Sequence, residues 1–97
     1  MATYITLLKY TQQGIKDIKN SPNRLDGARK AWKAAGGELK SFYLTMGRYD
    51  AVVVSELPDD ASVARLALAT GSQGNVTTET LRAFGEDEFR KIIASLP

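Results

Sequence analysis

Between Phe42 and Leu57 the chain reads FYLTMGRYDAVVVSEL, two β-rich apolar runs with Gly47-Arg48 between them. Glycine at the first position of a two-residue hairpin loop is what a type II′ turn requires, because that position needs φ > 0. Such a loop sets Met46 opposite Tyr49, Thr45 opposite Asp50, Tyr43 opposite Val52 and Phe42 opposite Val53. Directly opposite residues share a face of the sheet. One face then carries Phe42, Leu44, Met46, Ala51 and Val53 and belongs under helices. The other carries Ser41, Tyr43, Thr45, Asp50, Val52 and Val54 and belongs on an open face. A loop one residue longer would move Asp50 to the other side.

The rest of the chain supplies elements to pack on this hairpin. Thr3–Lys9 reads as a strand, with Ile5 and Leu7 assigned to the helix side and Tyr4, Thr6 and Leu8 to the open side. Ile15 and Ile18 share a face in a connection that can hold one helical turn. Ser21-Pro22 starts a helix, a hydroxyl cap before a first-turn proline, and Gly36-Gly37 ends it. Leu25, Ala28, Trp32 and Ala35 form its buried stripe. Pro58 closes the third strand, and Asp59-Asp60 caps a helix with Val63, Leu66, Ala67 and Thr70 on one face. Asn75–Phe84 is a fourth strand, with Leu81 and Ala83 beneath the helices and Thr78, Thr80 and Arg82 open. Glu86–Leu96 is a final amphipathic helix.

This order, β-α-β-β-α-β-α, is a ferredoxin-like α+β pattern with an extra C-terminal helix. Right-handed crossovers put both main helices on one face of a four-stranded antiparallel sheet, leaving the other bare. At 97 residues the chain makes one domain, residues 1–97, that buries only ~60–65% of its unfolded surface. An open face carrying Tyr4, Leu8, Tyr43, Val52 and Val54 is too apolar for water, so a homodimer through that face is expected.

Cysteine and histidine are both absent, which excludes disulfides, thiolate zinc sites, thiol nucleophiles and imidazole-held heme. No cofactor and no metal are expected. Asp59-Asp60 and Glu86-Asp87-Glu88 stand at helix starts, where carboxylates are ordinary. GSQGNV follows a helix and precedes a strand, the wrong polarity for a phosphate loop. Residues 1–48 hold nine Lys/Arg against three Asp/Glu, but scattered between apolar positions, so nucleic acid is not the expected partner. The amino terminus lacks a signal-peptide pattern, and apolar runs such as Ala51–Val54 fall far short of the ~20 residues of a membrane helix. A cytoplasmic protein without a membrane partner is the expectation.

A sheet-to-sheet dimer would enclose a space with Thr6, Tyr43, Asp50, Thr80 and Arg82 as candidate ligand-binding residues. Arg82 offers a fork of donors and Tyr43 a hydroxyl for an acidic or phenolic ligand, though both residue types also suit a plain interface. Asp50 either accepts backbone hydrogen bonds near the turn or serves as an acceptor at the mouth of the space. As an enzyme, the chain would have to position a reactive substrate, with Asp50 or Glu79 as base. No catalytic residue is assigned. Three readings stand: a ligand-binding homodimer, an enzyme that works by positioning a small reactive substrate, and a structural interaction module.

The stretches TYITLLKYTQQGIKDIKNSP, GELKSFYLTMGRYDAVVVSELPDD and GSQGNVTTETLRAF together resemble the GYD domain family, whose mark here is Gly47, Tyr49 and Asp50. The resemblance covers nearly all of residues 3–85. It implies a ferredoxin-like monomer among the dimeric α/β barrels and no particular activity. The wider relatives of that barrel include cofactor-free monooxygenases, heme-handling enzymes and small-ligand binders. The resemblance thus gives the first reading the form of a ligand-binding homodimeric α/β barrel, and the second that of a cofactor-free monooxygenase-like enzyme on a small aromatic substrate.

Overall fold

The computed structural model describes all 97 residues. In chain order they form β1 (Ala2–Tyr10), α1 (Gln12–Lys16), a 3-10 turn (Ile18–Asn20), α2 (Ser21–Ala34), β2 (Glu38–Leu44), β3 (Ala51–Leu57), α3 (Asp60–Ser72), β4 (Val76–Ala83) and α4 (Glu86–Ala94). The strands make one antiparallel sheet in the order β2-β3-β1-β4. Helices α2 and α3 lie on one side of it, α2 against β2 and α3 against β3 and β4. This is the expected α+β, ferredoxin-like pattern with its extra helix.

Helix ends follow local chemistry. Asp59 has extended dihedrals and its Oδ1 accepts from the Ser62 N–H at 2.9 Å and the Ser62 hydroxyl at 2.8 Å, which satisfies donors of the first turn of α3. At the other end of α2, Gly36 takes φ +88°. Its N–H donates to the Lys33 carbonyl and that of Gly37 to the Trp32 carbonyl, the paired bonds of a Schellman ending. Ser21 is not the cap of α2. The 3-10 turn feeds straight into the helix, so Asn20 takes the cap position and Ser21 is already helical.

The β2–β3 register matches the expected one, with Tyr43 opposite Val52, Phe42 opposite Val53 and Leu44 opposite Ala51. Gly47 has φ +122°, in the region that favours glycine. The loop itself is wider than two residues. Regular pairing stops at Leu44–Ala51, and only the Thr45 N–H to Asp50 carbonyl bond, 2.9 Å, continues it. The Thr45 hydroxyl then donates to the Tyr49 carbonyl at 2.6 Å, replacing the next backbone rung.

On β1 and β4 the face assignment from sequence is reversed. β1 pairs Leu8 with Ala51 and Thr6 with Val53, so Tyr4, Thr6, Leu8 and Tyr10 share the helix side with Ala51, Val53, Ser55 and Leu57. β4 follows, since Tyr4 faces Arg82, Thr6 faces Thr80 and Leu8 faces Thr78. Ile5, Leu7, Glu79, Leu81 and Ala83 therefore belong to the open face, beside Tyr43, Val52 and Val54. Both alternating sets of β1 are apolar, so its pattern alone could not choose a side; pairing with β3 did.

The core is thin. Tyr4, Leu57 and Leu66 form its centre, with Ala2, Trp32, Ala35 and Val63 packed around them. Only nine of 97 residues are buried, and the radius of gyration of 14.7 Å exceeds the ~12.5 Å of a compact chain this long. Part of that excess is α4, every residue of which is exposed.

Candidate functional site

Two apolar surfaces remain after the chain has folded, one on each side of the sheet. On the helix side α2 and α3 stand apart and leave a cavity of about 310 Å³ over the middle of the sheet. Thr6, Leu8 and Thr80 form its floor, and Trp32, Leu25 and Leu66 are among its walls. The Thr6 and Thr80 hydroxyls lie 3.4 Å apart there. The Trp32 indole Nε1 is buried without a hydrogen-bond partner, a desolvation cost that the sequence did not signal.

At one end of this side, β1 is locked to the start of α3. The Tyr4 hydroxyl donates to Asp60 Oδ1 at 2.5 Å, and Asp60 sits in the first turn of α3 beside the capping Asp59. Hydrogen bonding to the Asp60 carboxylate raises the Tyr4 phenol above its ordinary value, with burial adding to it. Hydrogen bonds from Ser62, first its backbone N–H and then its hydroxyl, hold Asp59 below the usual carboxylate value. The Arg82 guanidinium lies 5.8 Å from the Tyr4 ring centre and 4.4 Å from that of Phe84, and 3.8 Å from Glu88 of α4. Arg82 is thus engaged with its neighbours.

The open side carries Ile5, Leu7, Val52 and Val54 in its middle strands, half-buried with nothing packed over them. Tyr43 is 61% exposed and Leu81 is 44% exposed beside them. A polar cluster closes one end: the Tyr49 hydroxyl donates to Glu79 Oε1 at 3.0 Å, and the Lys9 ammonium lies 5.4 Å from the Tyr49 ring. The five candidate ligand residues therefore do not line one space. Thr6, Thr80 and Arg82 are on the helix side, Tyr43 is on the open side, and Asp50 is held at the end of β1.

The sequence pattern of the GYD domain matches residues 4–93. The chain belongs to the GYD domain family. A Thermus thermophilus protein named glutamine synthetase and cystathionine beta-lyase binding protein is 34% identical over 84 residues, which is 86% of this chain and 88% of that protein. The crystal structure of TTHA0845 from Thermus thermophilus superposes with a TM-score of 0.55 at 24% identity, covering 88% of this chain and 95% of that one, a likeness of fold.

Within this GYD domain the three residues of the family mark hold the sheet end together. Gly47 supplies the positive φ of the loop. Tyr49 turns onto the open face and reaches across β1 to Glu79 of β4. Asp50 does what a strand carbonyl would otherwise do: its Oδ2 accepts from the Tyr10 N–H at 2.8 Å, while its own N–H donates to the Leu8 carbonyl at 2.8 Å. As the loop peels away from β1, the carboxylate keeps the last donor of that strand paired. The bridging role of Tyr49 escaped the sequence because a two-residue loop sets Tyr49 opposite Met46 on the helix side, whereas the wider loop turns it onto the open face with Glu79 and Lys9.

Proposed function

We propose that this GYD domain is a homodimeric interaction module that pairs through its open sheet face and binds protein partners. The observation that carries the reading is the uncovered apolar patch of Ile5, Leu7, Val52, Val54 and Leu81, flanked by Tyr43. A monomer in water has no use for such a surface, whereas a second copy removes it from solvent. Edge pairing is a poorer route to the same end. Strand β2 carries a register shift between Leu39 and Ser41, and the Lys40 ammonium there sits 3.3 Å from Glu56, features that blunt an edge.

The protein-binding half of the reading rests on the Thermus relative, whose name gives two metabolic enzymes as its partners. By that likeness the partner of this chain is a folded enzyme such as glutamine synthetase. The test is light scattering of the purified protein mixed with purified glutamine synthetase. The reading expects a species heavier than either component; a mixture with only the two separate masses contradicts it.

A second reading has the cavity between the sheet and α2–α3 hold a small organic ligand. Its volume is at the lower end of ligand pockets, which run from ~300 to ~1,000 Å³. Thr6 and Thr80 would offer the polar contacts. The cofactor-free monooxygenase reading gains less, because the Asp50 carboxylate is engaged with Tyr10 and Glu79 faces away from the cavity.

A further inference from the structure

Helix α4 carries Phe89, Ile92 and Ile93 on one side, continued by Leu96, at the three- and four-residue spacing of an amphipathic stripe. These four side chains are between 43% and 62% exposed. The Arg82–Glu88 ion pair holds the first turn of α4 to β4 and leaves the stripe uncovered. A helix of nine residues is too short to persist in water by propensity alone, so its stripe calls for a surface to pack on.

Topology indicates which surface. β4 and β2 are the two edges of the sheet. α4 leaves β4 at the end where Ala83 faces Thr3, the beginning of β1. The β2–β3 hairpin leaves the sheet at the end where Ala51 faces Leu8. The two features thus stand at diagonally opposite corners. The hairpin corner is apolar and uncovered as well, with Tyr43 61% exposed on the open face and Met46 98% exposed in the loop beyond it.

Two open faces can be related by a two-fold axis lying between them along the other diagonal. That axis crosses the strands of the two sheets near a right angle, one of the two common sheet-packing geometries. It also sets α4 of each copy over the hairpin corner of the other, both contacts at once. The area favours this arrangement. A four-stranded face of this length presents roughly 500 Å² in projection, short of the ~800 Å² per partner of a stable interface. Contacts at the two corners would add to the area buried.

We propose that α4 of one copy docks its apolar stripe on the Tyr43–Met46 corner of a second copy. The inference rests on the homodimer reading above and adds to it the element that clasps the pair.

The chain has no cysteine, so introduced thiols report without interference. Both Met46 and Ile92 are exposed, and neither substitution disturbs the core. Met46→Cys and Ile92→Cys preparations are mixed and treated with a short bifunctional maleimide. The proposal expects a cross-linked dimer holding one chain of each, at least tenfold above either preparation alone. A dimeric mass by light scattering without that mixed product overturns the docking of α4 and leaves the sheet-face dimer standing. So does a double variant that cross-links within a single chain. A monomeric mass for the unsubstituted protein overturns the dimer reading and this inference with it.

Discussion

Asp50 shows how a family mark can be structural before it is anything else. A carboxylate accepting a backbone N–H is a charge-assisted bond, and losing it leaves the Tyr10 donor unpaired as the loop turns away. Replacing Asp50 with alanine should destabilise the fold by about 1–3 kcal/mol. Asp50→Asn, which keeps an acceptor oxygen, should cost less; urea denaturation of the two variants separates them. The sequence made both roles of Asp50 available, backbone acceptor and site acceptor. It did not show that the acceptor's target lay on β1, because that bond depends on where the hairpin loop leaves the sheet.

Tyr4 makes a second prediction at the same scale. Its phenol is raised in the fold, so the native state holds that proton more tightly than the unfolded chain does. The stabilisation is complete below the ordinary phenol value near 10 and is lost as pH rises through the folded value. Tyr49, through its bond to Glu79, and Lys40, through its bond to Glu56, are raised too and act in the same direction. Tyr4→Phe should therefore flatten the alkaline decline of the melting temperature without abolishing it. A decline of unchanged steepness would show that the Tyr4–Asp60 bond does not contribute to it.

The elements were far more legible than their faces. The four strands and the three longer helices were readable from period and punctuation: Pro58 and Asp59 between β3 and α3, Gly36 after α2, Gly47 in the hairpin. Between β1 and α2 the sequence offered only room for one helical turn, where α1 and the 3-10 turn lie. Faces were readable where one alternating set differed clearly from the other. On β2 and β3 the set with Phe42, Ala51 and Val53 was plain. On β1, Ile5 and Leu7 compete with Tyr4 and Leu8, and the more aliphatic pair faces outward. An inward Tyr4 is explained by Asp60, to which its hydroxyl donates, so its polar end is paired when its ring is buried. That partner lies 56 residues away and no local pattern announces it.

The same layer accounts for where stability resides. Leu57, 1% exposed, ends β3 at the centre of the small cluster with Tyr4 and Leu66. Leu57→Ala should cost about 2–5 kcal/mol, a range set by how far the site can collapse. With so few buried side chains to share the load, the midpoint of chemical denaturation should fall accordingly. A shift corresponding to less than about 1 kcal/mol, well below that range, would mean that this cluster is not the centre of the fold.

For the whole molecule, the open face of the sheet decides most. The reversal of β1 and β4 changed which residues lie there but strengthened the reason for covering it: Ile5, Leu7 and Leu81 replace Tyr4, Thr6 and Arg82, and the surface becomes more apolar. The candidate ligand space between two sheets loses the hydroxyls of Thr6 and Thr80 and the Arg82 guanidinium in the same exchange. What remains on that face suits association better than recognition of a polar small molecule. The most direct measurement is absolute mass by light scattering over a tenfold range of concentration, on the unsubstituted protein and on Val54→Lys, which puts a charge in the middle of the patch. A sheet-face dimer predicts twice the 10.6 kDa chain mass for the first and the chain mass for the second. A persistent monomer, or a dimer indifferent to a lysine at position 54, would contradict it.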